Sequence, residues 1–90
     1  MKDNLRRLVR TELLKLMHNA HPMALETSFL ARGLEAEDLK CEDKELRSEL
    51  DALQELGLVS SHPDRLTPSI TRWKRTEPGR VHLIESGHAE

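Results

Sequence analysis

Residues 41–59 read CEDKELRSELDALQELGLV, and this stretch decides the fold. Leu46, Leu50 and Leu53 recur at helical spacing, and Gly57 then precedes Leu58-Val59, so one apolar helix stripe runs into a strand. On a wheel of about 100° per residue centred on Leu50, Lys44, Ser48, Asp51 and Glu55 point away from the stripe, and Arg47 lies on its flank. The outward face is therefore wholly polar. Glu42 and Asp43 suit the positive end of the helix dipole, and Gly57 supplies the left-handed residue on which a helix stops. The spacing predicts a helix over about residues 42–56.

Upstream, Leu5, Val9, Leu13 and Leu16 form one side of a first helix, broadened by Leu8 and Met17, with Asp3 or Asn4 as N-cap; it is expected over about residues 4–19. The same wheel turns Arg7, Arg10, Leu14 and His18 outward. A wet Leu14 beside Met17 would seed a self-association patch, so these two residues are the expected homodimer contact. His21-Pro22 closes this helix, and the proline is expected to open the next. Leu25, Phe29 and Leu30 then place a second helix at about residues 23–32, ended by Gly33. Leu34 and Leu39 anchor an acidic connection. Cys41 stands at the N-cap position of the third helix as a small half-buried residue, because Glu42 and Asp43 are the opposite of the electropositive setting a reactive thiol needs.

Downstream, Leu58 to His62 reads as a strand, Pro63-Asp64 as a turn, and Ile70 to Lys74 as a returning strand, giving a two-stranded wing over about residues 58–75. Thr76 then caps a short helix over about residues 77–86, carrying Val81, Leu83 and Ile84 before Gly87.

The 90 residues suit one domain, which buries only about 60–65 % of its unfolded surface. Phe29 and Trp73 are the only aromatic residues, so leucine must build the core. A lone cysteine excludes an internal disulfide, no apolar run approaches the roughly 18 residues of a membrane span, and no signal-peptide pattern follows Met1. A cytoplasmic protein is expected. The net charge of −2 hides a strong asymmetry: residues 1–22 carry +3, residues 34–56 carry −6 and residues 57–90 carry +1. His18-x-x-His21 straddles a helix end and lacks the paired spacing of a zinc site, so neither a metal nor another cofactor is expected. Ser60, His62, His82 and Glu85 offer catalytic residue types, but without a strained turn, glycine-rich loop or orienting acid, and the chain reads as no enzyme.

Three helices, a hairpin and a short helix, with the Gly57-Leu58-Val59 step from the third helix into the wing, resemble the winged helix-turn-helix superfamily. Trp73-Lys74-Arg75-Thr76-Glu77-Pro78-Gly79-Arg80 adds to the resemblance. Winged-helix regulators of the multiple-antibiotic-resistance type leave the wing through a Leu-Thr-x-x-Gly-Arg step, and here Arg75 stands in place of that Leu. Over roughly residues 4–86 the chain is also similar to small winged-helix proteins of Mu-like phages and prophages. The fold class implied is α+β and mainly helical: a three-helix bundle, a two-stranded wing and a short closing helix.

The resemblance implies a double-stranded DNA partner and a small bacterial or phage transcriptional regulator. It places the N-terminal half of the third helix in the major groove, with Lys44, Arg47 and Ser48 at base edges, and Arg65, Arg72, Lys74 and Arg75 of the wing near phosphates. Five basic residues against two acidic ones between His62 and His82 agree with that role. Asp51 and Glu55 on the outward face, with Glu42, Asp43 and Glu45 near the helix start, oppose it and weaken binding. The alternative is a protein-interaction module whose acidic 34–56 segment meets a basic partner. Trp73 is read as a core or wing-root residue, since single-strand binders present several aromatic platforms.

Leu50→Asp is expected to abolish the cooperative fold, because an unpaired buried carboxylate costs several kcal/mol in a domain whose whole stability is about 5–10 kcal/mol. A native circular dichroism spectrum from that variant would refute the register of the third helix.

Overall fold

The computed structural model describes residues 2–89. Its elements are α1 (Asp3–Ala20), β1 (Leu25–Glu26), α2 (Thr27–Ala36), α3 (Asp43–Glu55), β2 (Val59–Pro63), β3 (Thr71–Arg75) and α4 (Glu77–Glu85). The sheet is antiparallel with strand order β1-β3-β2, so the expected hairpin gains a third strand. Leu25 pairs with Trp73 and Glu26 with Arg72, while Val59 to Pro63 pair with Arg75 to Thr71.

The core is a single cluster. Leu46, Leu50 and Leu53 of α3 are fully buried in it with Leu30 and Leu34 of α2, Val59, Trp73 and Leu83. The leucine stripe of α3 therefore faces inward as its spacing requires. The stripe of α1 does not sit where apolar counting puts it. Val9, Leu13, Leu14 and Met17 are buried, whereas Leu5 and Leu8 are exposed. At 1 % and 0 % exposure, Leu14 and Met17 are core residues and have no surface to give a dimer seam.

The cause of that rotation lies in α3. Glu49 is a charged side chain only 5 % exposed, and Arg10 Nε donates to its Oε1 at 2.6 Å while Arg6 Nε lies 3.4 Å from Oε2. A buried carboxylate must be paired. The first half of α1 therefore turns Arg6 and Arg10 toward α3, and the apolar arc of its second half falls on Met17 and Leu14.

The second helix also departs from expectation. Residues 23–26 are outside it, since Leu25 and Glu26 form the edge strand β1, and Phe29 is half exposed. The helix passes through Gly33, whose missing Cβ leaves room for the Leu16 side chain of α1. It ends at Asp38, a non-glycine residue with φ of 57°, where Leu39 N donates to Leu34 O at 2.8 Å. The same closure ends α3 at Gly57, with Leu58 N donating to Leu53 O at 3.0 Å. At the start of α3 the N-cap is Glu42 and not Cys41; its N–H is accepted by Glu45 Oε1 at 3.2 Å.

The junction between α3 and α4 explains the Thr-x-x-Gly step physically. Thr76 Oγ1 donates to Gly57 O at 2.6 Å and accepts from Gly79 N at 3.1 Å, while Thr76 N donates to Leu58 O at 3.1 Å. A Cβ on Gly79 would lie 2.2 Å from Leu58 O. One hydroxyl thus caps α4 and fastens it to the stop of α3. Gly79→Ala is expected to destabilise the domain by about 2–3 kcal/mol, as overpacking against fixed backbone does. Denaturant unfolding checks this, and a midpoint equal to that of the unmodified chain would show that the two backbones do not approach so closely.

Candidate nucleic-acid interface

The N-terminal ends of α2 and α3 and the loop end of the wing converge on an open groove of about 460 Å³. Thr27, Ser28 and Ala31 of α2 line one side, Asp43 and Arg47 of α3 another, and Ser69, Ile70 and Thr71 of the wing the third. Trp73 anchors this arrangement from beneath. Its ring is 1 % exposed, and Nε1 donates to Thr27 Oγ1 at 3.2 Å. It is a core residue, as its sequence context suggested. Arg47 lies over the same ring, 5.7 Å from its centroid, and its Nε reaches Asp51 Oδ1 at 3.4 Å. Lys44 and Ser48 are exposed beside it on α3.

The four wing cations have four different settings. Arg65 is exposed in the loop between β2 and β3. Arg72 and Lys74 alternate with buried Trp73 and so share the outer face of the sheet. Arg72 is engaged there by Asp64 at 2.8 Å and Glu26 at 3.0 Å, which consume its charge. Lys74 forms no ion pair among the described residues. Arg75, on the inner face, donates through Nε to His18 Nδ1 at 2.9 Å, which ties the root of β3 to the end of α1. Lys44, Arg65, Lys74 and Arg75 are thus the cations of the expected set without an ion pair among the described residues, and of these Arg75 is held by its hydrogen bond to His18.

The wing tip is held by Asp64. Its carboxylate accepts Leu66 N at 3.1 Å and Thr67 N at 2.9 Å as well as Arg72 Nε. This Asx-type turn fixes the loop that displays Arg65 and Leu66, the latter 94 % exposed. The Arg72 bond foremost, and then the Thr67 and Leu66 amides, hold the Asp64 carboxyl below its ordinary value. The sequence marks Asp64 as a turn residue, but nothing local announces that it organises Arg72 eight positions on.

Ser60 Oγ and His62 Nε2 meet at 2.9 Å on the sheet, with no carboxylate hydrogen-bonded to the imidazole among the described residues. No group of three or more His, Cys, Asp or Glu side chains suited to a metal ion occurs among them, and no described helix is long and apolar enough to cross a membrane. Burial pushes the Cys41 thiol above its ordinary value, and Glu45, Glu49 and Asp43 raise it further, the reverse of activation.

Three helices, an antiparallel hairpin with an added edge strand, and a closing helix locked by Thr76 and Gly79 define a winged helix. Solved structures share that fold. The adhesin competence repressor AdcR of Streptococcus pyogenes superposes with a TM-score of 0.72 at 16 % identity, over 89 % of this chain and 53 % of AdcR. A single-site mutant of Lactococcus lactis ZitR gives 0.66 at 21 % identity, over 89 % of this chain and 50 % of ZitR. The chain therefore spans about half the length of those proteins. No protein-family model and no curated protein sequence matches it.

Because the folded Asp64 value is depressed, its contribution to the wing is complete above the ordinary carboxylate range and is lost as pH falls through the lowered value. NMR titration of the Leu66 and Thr67 amides should therefore show a midpoint below the usual aspartate value, and Arg72→Ala should move it upward. A midpoint unchanged by that substitution would mean that Arg72 does not hold the turn.

Proposed function

We propose that this chain is a double-stranded DNA-binding winged helix, a transcriptional regulator of the small bacterial or phage kind acting in the cytoplasm without catalysis. The observation that carries this reading is the convergence of the N-terminal end of α3 with the loop end of the wing on one open groove, beside the turn that Asp64 holds. In this reading Lys44, Arg47 and Ser48 meet base edges, and Arg65 and Lys74 meet phosphates. Arg72 and Arg75 act from behind, one stiffening the wing and the other its root. The repressor AdcR, similar in fold, supports the assignment. The likeness of the closing segment Trp73 to Gly79 to small phage winged-helix proteins supports a phage or prophage setting.

A second reading has its own observation. Arg47 is neutralised by Asp51, and Glu42, Asp43 and Glu55 are exposed along the same helix, so α3 presents net negative charge. A basic protein partner on the 34–56 segment would use that face instead.

A salt titration on random duplex DNA separates the two. With Arg65 and Lys74 as the unpaired cations at phosphates, the log–log slope should be about −2. Arg65→Ala with Lys74→Ala should reduce the slope by about two and weaken all sequences alike, whereas Arg47→Ala should change sequence preference. Absence of binding even in dilute buffer would reject DNA in favour of the acidic module.

A further inference from the structure

A second open groove, of about 410 Å³, lies elsewhere on the molecule and shares no lining residue with the first. It runs between the N-terminal half of α1 and the C-terminal end of α3. Leu53, Leu56 and Leu58 give it an apolar lining, and Arg6, Arg7 and Arg10 stand along its rim. Leu56 is 61 % exposed, a large apolar side chain at the cap of α3 with no neighbour covering most of it.

The rim is positive in a protein whose net charge is −2. Arg6 and Arg10 both approach Glu49 through Nε, which leaves the outer nitrogens of the Arg10 fork and Nη2 of Arg6 for other acceptors, and Arg7 forms no ion pair among the described residues. Asp3 is the one acidic side chain lining the groove, 3.9 Å from Arg6. Two guanidinium groups held by a buried carboxylate lose little freedom on binding, so they are prepared to take carboxylates in bidentate fashion.

We propose that this groove docks an acidic amphipathic segment of a partner protein, with leucine-like side chains on Leu56 and Leu58 and carboxylates on Arg6, Arg7 and Arg10. An amphipathic helix laid into an apolar groove is a recurring recognition mode, and the charge on the rim selects its sign. Duplex DNA satisfies only half of the site, since a phosphate backbone brings no apolar surface for the leucines. The docked partner lies apart from the wing groove, so the two ligands are held together.

Fluorescence anisotropy with a labelled peptide of Leu-Glu-Glu-Leu repeats tests the proposal. Saturable binding is expected, lost when lysine replaces every glutamate of the peptide and when serine replaces every leucine. Arg7→Glu and Leu56→Lys, both at exposed positions, should each weaken it about tenfold with unchanged circular dichroism. Random duplex DNA should not displace the peptide. Equal binding of the serine peptide, displacement by DNA, or a sedimenting dimer that Leu56→Lys converts to monomer would each overturn the proposal, the last by showing that a second copy covers the leucines.

Discussion

The burial of one indole constrains the whole arrangement. Trp73 sits at the centre of the middle strand, and a buried indole N–H needs an acceptor. Thr27 supplies it, so α2 begins where its hydroxyl can reach the ring. The residues before Thr27 are then carried past β3 in extended form, and Leu25 pairs with Trp73 itself. On the other side Arg47 covers the ring from α3. One side chain thus sets the start of a helix, adds an edge strand, and positions the helix whose polar face lies beside the wing.

A second theme is how the chain places its charges. Arg6 and Arg10 serve a buried Glu49, Arg72 serves Glu26 and Asp64, and Arg75 serves His18. Counting charge along segments therefore overstates the free positive charge of the wing and hides the positive rim on α1. Neutralised cations still matter to function, because they stiffen what the free ones are mounted on. Asp64 is the clearest case, holding the tip that displays Arg65 through two backbone amides.

The winged-helix assignment carries the architecture and leaves the ligand to side-chain detail. In this chain that detail divides between two grooves, one at the start of α3 and one at its end. The helix connects them as a rigid rod with a leucine seam facing inward along its length. The two grooves therefore sit at separate ends of one rod.

By itself the sequence determined what depends on near neighbours. The Leu46, Leu50 and Leu53 spacing, the stop at Gly57 and the Thr76 cap of α4 are set by contacts three to five residues apart, which periodicity and capping chemistry report directly. Tertiary structure decided what depends on distant partners. The burial of Leu14 and Met17 follows from Arg10 meeting Glu49 across 39 positions, β1 and the late start of α2 from Glu26 and Thr27 meeting β3 across 46, and the inward turn of Arg75 from His18 at 57. Asp38 could end α2 in place of Gly33 because Leu39 finds Leu34 and the core once the helix is longer. Apolar spacing records which face of a helix is greasy, while a buried charge fixes its rotation through a partner that lies far along the chain.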